Sequence, residues 1–255
     1  MESIKLYAED IHTGSLVLVN KSYPVVDSDK NKLQLAPMNE RHQKILLEIR
    51  TANVLNYMMK DIRCEAEIVP VSGYRSLNEQ KNIYKDSILE NGIKFTKDFV
   101  AIPGHSEHQT GLAIDLARKQ ENIDFICPDF PYEGICDYFR KKAPHYGFIQ
   151  RYKKDKESIT GIAHEPWHFR YVGYPHSQIM NNLDLSLEEY IETIKEYPYD
   201  ERYFSYEHNG KIMKVSYVDI LSYGYKSIEL PEKISYMISG NNVDGFIITT
   251  WREDQ

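Results

Sequence analysis

The chain has 255 residues, enough for one large domain or one domain with a small companion. Hydrophobic residues at 42% and charged residues at 27% are the balance of a soluble globular protein. A net charge of -7, with no basic run interleaved with aromatics, excludes nucleic acid as the main partner.

Met1 to Asp10 contains neither the apolar centre of a signal peptide nor a cleavage site, and no segment reaches the ~18 apolar residues of a membrane span. A cytoplasmic location without a membrane partner is therefore expected. Cys64, Cys127 and Cys136 are odd in number and lack metal spacing, so they are expected to be reduced thiols.

In chain order, Leu16-Val17-Leu18-Val19 is an apolar run expected as a strand or extended lead-in. Ile45, Leu46, Ile49, Ala52, Leu55, Met58 and Met59 recur at three-four spacing and predict a helix from about Glu40 to Asp61, lying against a sheet. Glu65 to Tyr74 is expected as a strand. Ser76-Leu77-Asn78-Glu79 is a capping box, so a helix should run to about Glu90 and stop at Gly92. Arg75 stands just before that helix and Gln80 within its first turns. A helix start attracts anions and a guanidinium grips a carboxylate with two prongs, so Arg75 is a candidate anchor for a free peptide C-terminus.

Ser106-Glu107-His108-Gln109-Thr110-Gly111-Leu112-Ala113-Ile114-Asp115 has the form S-x-H-x-x-G-x-A-x-D, and Glu165-Pro166-Trp167-His168 follows about fifty residues later. A catalytic zinc takes three ligands from His nitrogens and carboxylate oxygens and keeps one position open; His108, Asp115 and His168 match that count. Leu112 to Asp115 reads as a short strand. The odd spacing from His108 to Asp115 would put them on opposite faces of a straight strand, and Gly111 offers the bend that returns His108. Trp167 to Val172 alternates as a second strand, with His168 and Arg170 on one face. Pro166 favours an extended Glu165, which is near the metal yet free to act as a base. His105 forms an H-x-x-H pair with His108 and is the rival ligand, and His164 adjoins the proposed base.

Glu121 to Gly134 is expected as a loop, Ile135 to Lys142 as a helix ended by Pro144, and Tyr152 to Ser158 as a solvated charged loop. Ser186 to Glu189 is a second capping box, opening a helix to about Glu196. Tyr203 to His208 and Lys211 to Val218 alternate around Asn209-Gly210, a hairpin signal. Ser227 to Leu230, Ile234 to Ile238 and Gly245 to Trp251 also predict strands. The expected division is thus a catalytic domain over 1–199 and a small β-rich appendage over 200–255. Three roles are open to the appendage: shaping the cleft, pairing two copies as a homodimer, or covering a sheet edge.

The two metal pieces, with Ser72-Gly73-Tyr74-Arg75-Ser76 upstream, resemble the zinc D-alanyl-D-alanine carboxypeptidases of the VanY type and the bifunctional VanXY dipeptidase/carboxypeptidases of glycopeptide resistance. The resemblance covers about Leu16 to Tyr197. It implies an α+β fold in which a small antiparallel sheet, flanked by helices, cradles zinc. It implies His108, Asp115 and His168 as ligands, Glu165 as general base, and Arg75, Gln80 and Ser106 as substrate-holding residues. It also implies two substrates, free D-Ala-D-Ala and the peptidoglycan precursor pentapeptide, and through them vancomycin resistance. The rival readings are a peptidoglycan endopeptidase of the lysin type and a metal-free binding or regulatory protein.

Overall fold

The computed structural model describes residues 1–26, 33–220 and 224–252. Its strands are β1 (Glu2–Tyr7), β2 (Leu35–Pro37), β3 (Leu46–Glu48), β4 (Ile68–Ser72), β5 (Ala113–Arg118), β6 (Phe148–Tyr152), β7 (Glu165–Tyr171), β8 (Phe204–His208), β9 (Lys211–Asp219), β10 (Tyr225–Leu230), β11 (Ser235–Gly240) and β12 (Gly245–Trp251). Its α-helices are α1 (Ile49–Asp61), α2 (Leu77–Phe99), α3 (Gly134–Lys142), α4 (Glu157–Thr160), α5 (His176–Leu183) and α6 (Leu187–Lys195). They form two units, one of Val19–Ser186 and one joining Met1–Leu18 to Leu187–Gln255.

The unit of Val19–Ser186 is built on a four-stranded antiparallel sheet in the order β4-β5-β7-β6, accompanied by α1 to α5. This is the α+β arrangement expected from the sequence. Successive side chains of β7 point to opposite faces. Phe169 joins Phe130 and Phe139 in an edge-to-face aromatic cluster, with centroids 5.0 to 5.8 Å apart. His168 and Arg170 project from the other face. The apolar face anchors the sheet, and the polar one is free to carry chemistry.

Local signals explain the starts of α1 and α2. The Ser76 hydroxyl accepts from the Glu79 amide at 3.2 Å, and the Glu79 carboxylate accepts from the Ser76 amide at 2.7 Å, so the capping box forms as expected. Gly92 breaks the helix with φ 83°, but the chain then resumes a helical course to Phe99, beyond the predicted stop. The helix predicted from Glu40 starts only at Ile49. Leu46–Glu48 is drawn into a ladder with Leu35–Pro37, and the Glu48 carboxylate accepts from the Arg50 and Thr51 amides at 3.0 and 2.8 Å, fixing the start. β6 and α5 were not predicted. Tyr152 to Ser158 ends β6 and then turns through a short 3-10 helix into α4, rather than forming a loop.

The other unit is rich in strands. β11-β12-β9-β8 form one antiparallel sheet, and β1 pairs with β10. Asn209 and Gly210, at φ 50° and 74°, make the tight turn that the β8–β9 hairpin requires. Leu6, Ile11, Val218, Ile228, Phe246 and Ile248 pack in its core. The N-terminal strand belongs to this unit through its ladder with β10, and α6 is also part of it, so the unit is larger than the stretch 200–255. Within that stretch, 221–223 and 253–255 lie outside the described residues. Leu16 to Val19 is buried but forms no strand; the Leu16 and Leu18 amides bond instead to Ser239 Oγ and the Asn241 carbonyl, at 2.9 and 3.0 Å. Among the described residues no helix is long and apolar enough to cross a membrane.

Candidate active site

Asp115 on β5 lies directly across from His168 on β7 in the antiparallel register. Cross-strand neighbours on one face approach closely, so the sheet itself sets this pair, with His168 Nδ1 2.9 Å from Asp115 Oδ1. His108 arrives by another route. Glu107–Thr110 is a 3-10 turn closed by Gly111 in the left-handed conformation at φ 71°. A side chain at 111 would also press on the Glu48 amide, its Cβ at 2.8 Å. The bend brings His108 Nε2 to 3.1 Å from Asp115 Oδ2. Thus His108, Asp115 and His168, all buried, offer donor atoms within 4.8 Å of one another.

The donor set suits a metal ion. His108 Nε2 is buried with only the Asp115 carboxylate near it and no aligned hydrogen bond, while its Nδ1 is 2.7 Å from the Gly73 carbonyl. A ring nitrogen tied to a carbonyl leaves the other one aimed at the metal. Two imidazoles and one carboxylate form a hydrolytic zinc set with a position left for substrate or water. His105 is not part of it: its Nδ1 is 2.7 Å from the Asn20 carbonyl. His164 is also outside, within hydrogen-bond distance of Tyr132 Oη at 2.7 Å.

Glu165 opens β7, is buried, and its Oε2 is 3.7 Å from His168 Nδ1. Burial pushes its carboxyl up to about 8. An added positive charge in the donor set would favour the ionised form. Asp115 is different: burial alone would raise it, but the facing His108 and His168 imidazoles hold it well below the ordinary carboxylate range. Burial, helped by the Arg75 charge, lowers His108 to about 4. For His168 burial acts downward, yet hydrogen bonding to Asp115 and Glu107 prevails and raises it to about 9.

Arg75 follows β4, and its amide donates to the His108 carbonyl at 3.2 Å. Its Nη2 is 3.6 Å from Asp115 Oδ2, so the guanidinium borders the donor set. Ser106 is buried and lines the same cleft, whose apolar wall includes Phe99 and Trp167, ring centroids 6.5 Å apart. Gln80 does not line the cleft. It is fully buried and donates from Nε2 to the Ala101 carbonyl at 2.8 Å; Ala101 is a lining residue.

Three charged residues in this site have no role assigned by the sequence. Glu107 is buried behind His168, its Oε2 3.3 Å from His168 Nε2. Its Oε1 accepts from Arg151 Nε and Arg170 Nη1, both at 2.8 Å, with all three side chains fully enclosed. Arg170 was on the face of His168 by alternation, but nothing in the spacing pairs it with residue 107, and β6, which carries Arg151, went unpredicted.

These features define a hydrolytic metal site on an antiparallel sheet. Residues 44–174 match the family model of VanY, D-alanyl-D-alanine carboxypeptidase. The chain is 44% identical over 179 residues to the bifunctional D-Ala-D-Ala dipeptidase and D-Ala-D-Ala carboxypeptidase VanXYC of Enterococcus gallinarum, covering 69% of this chain and 93% of that one. It superposes with TM-score 0.94 and 51% identity on the vancomycin resistance D,D-dipeptidase VanXYg in complex with a D-Ala-D-Ala phosphinate analog, covering 98% and 99% of the two chains. A VanY D,D-pentapeptidase mutant in complex with Zn(II) matches at TM-score 0.56 and 28% identity, over 69% of this chain and 98% of that one. The chain belongs to the VanY D-alanyl-D-alanine carboxypeptidase family.

Proposed function

We propose that this chain is a zinc-dependent D,D-peptidase that hydrolyses D-Ala-D-Ala and removes the terminal D-Ala from cytoplasmic peptidoglycan precursors, contributing to glycopeptide resistance. The observation that carries the reading is the buried His108–Asp115–His168 donor set with Glu165 beside it, in a chain 51% identical to a D,D-dipeptidase held with a D-Ala-D-Ala analog. His108, Asp115 and His168 would hold the zinc. Bound there, zinc supplies Lewis acidity, polarising a peptide carbonyl and making water a nucleophile near neutral pH.

The chain's own groups do the rest. The Glu165 carboxylate takes a proton from the attacking water and delivers it to the leaving amine. Its burial makes it a stronger base than an exposed carboxylate. Arg75 faces negative charge at the rim of the donor set. It would hold the carboxylate of the terminal residue by a two-pronged bond, which selects substrates with a free C-terminus. The Ser106 hydroxyl offers a hydrogen bond to the peptide within the cleft. Gln80 would act through Ala101, fixing the wall of the cleft with a buried hydrogen bond.

A precursor ending in D-Ala-D-Ala and the free dipeptide are soluble molecules of the cytoplasm, and we place the enzyme with them. All the proposed catalytic groups lie within the unit of Val19–Ser186, which would be the catalytic domain. The test is hydrolysis of D-Ala-D-Ala and of the precursor pentapeptide, with and without chelator. Release of D-Ala from both, lost with chelator and restored by zinc, is expected. No release by the zinc-replete protein, or release that a chelator leaves unchanged, would refute the proposal.

A further inference from the structure

The two imidazoles of the donor set present different nitrogens. His108 has Nδ1 at 2.7 Å from the Gly73 carbonyl, leaving Nε2 toward Asp115. His168 is turned the other way, with Nδ1 toward Asp115 and Nε2 at 3.3 Å from the Glu107 carboxylate. Each ring has one nitrogen toward Asp115 inside the donor set; with a cation held there those nitrogens are ligands, and the proton of each neutral imidazole is left on the other nitrogen, the one that faces an acceptor outside the set. A carbonyl thus sets the tautomer of His108, and a carboxylate sets that of His168.

A carboxylate is the stronger acceptor, and a bare one buried against a ligand would be costly. Here it is not bare. Glu107 Oε1 accepts from Arg151 Nε and Arg170 Nη1, each at 2.8 Å, while Oε2 is left for His168. All three charged side chains are fully enclosed. Such a cluster adds little stability over apolar packing of the same volume, because desolvating the charges offsets their attraction. It does give His168 an acceptor whose position is held from two strands, Arg151 on β6 and Arg170 on β7.

We propose that Glu107, held from behind by Arg151 and Arg170, is a positioning residue that keeps the His168 proton on Nε2 and so presents Nδ1 to the metal. This rests on the zinc-peptidase reading above. Its substrate is unchanged; what it adds is a second layer of residues that determines how tightly the ion is held.

The test measures zinc affinity by competition with a chromogenic chelator. In Glu107→Gln the carboxylate charge is lost, and zinc affinity of the folded protein is expected to fall about 10- to 100-fold. A protein that melts earlier but binds zinc as tightly as the parent would overturn the proposal, since that is the signature of a purely structural cluster. Should Glu107→Gln not fold, the triple variant Glu107→Leu/Arg151→Met/Arg170→Met removes the acceptor without stranding a charge, and the same fall is expected. Nitrogen-15 NMR of histidine-labelled, zinc-loaded parent protein needs no variant. A protonated His168 Nε2 with an unprotonated Nδ1 supports the proposal, and the reverse overturns it. A parent protein that binds no zinc and cleaves no D-Ala-D-Ala would refute the functional reading and this inference with it. An active, zinc-binding parent with an unaffected Glu107→Gln refutes only this inference.

Discussion

Among the described residues every buried Asp, Glu, Arg and His lies between Val19 and Ser186, whereas the unit of Met1–Leu18 and Leu187–Gln255 buries chiefly Leu, Ile, Val and Phe, with Ser, Thr and Asn as its buried polar groups. The best-connected ion pair of the second unit, Lys195 with Asp244 at 2.6 Å, keeps both side chains more than a fifth exposed. The first unit instead encloses Glu107, Asp115, Arg151, Glu165 and Arg170 with three imidazoles, those of His108, His168 and His176. Enclosing charge costs desolvation energy that an apolar core does not incur. The contrast therefore separates a unit arranged for chemistry from one arranged for packing.

The largest expected effect breaks the chemistry while sparing the fold. Glu165→Ala should lower kcat by about 10²- to 10⁴-fold with zinc content unchanged, as read by turnover and elemental analysis. A near-parental rate would remove Glu165 from the base role. Next comes the enclosed charge. Arg170→Met leaves Glu107 short of one partner and should cost about 3–5 kcal/mol in denaturant unfolding of the first unit. A loss below 1 kcal/mol would mean the cluster is wetter than its burial indicates.

A pH titration sharpens the comparison. Burial pushes His176, in α5, down to about 3 from 6.5. The unfolded chain takes up a proton there below 6.5 and the folded one does not, so stability of this unit should decline as pH falls from 6.5 toward 3. His176→Asn should flatten that decline in acid unfolding; an unaltered slope would assign it elsewhere. The smallest effect belongs to the packing unit. Ile228→Val should cost about 0.5–1.5 kcal/mol and leave kcat on D-Ala-D-Ala unchanged, checked by thermal melts and assay.

Much of this division was legible in the residues themselves. Gly111 announced the bend that returns His108, Ser76 and Glu79 announced the start of α2, and Asn209-Gly210 announced a hairpin. Each is a local signal whose physics is complete within a few residues. Leu46–Glu48 is the opposite case. Its periodicity suits a helix, but pairing with Leu35–Pro37 overrides it, and that partner lies ten residues upstream. β1 was missed for the same reason, since its ladder partner, β10, is more than two hundred residues away.

The site divides in the same manner. The kinds of ligand, their order along the chain and the spare carboxylate at 165 were determined by the sequence, because metal chemistry restricts which side chains serve and the two motifs carry them together. Which nitrogen each histidine presents, how close Arg75 comes to Asp115, and the enclosure of Glu107 by Arg151 and Arg170 were decided only when four strands and a 3-10 turn met. Those are distances between side chains far apart in sequence, and only the packed chain sets them.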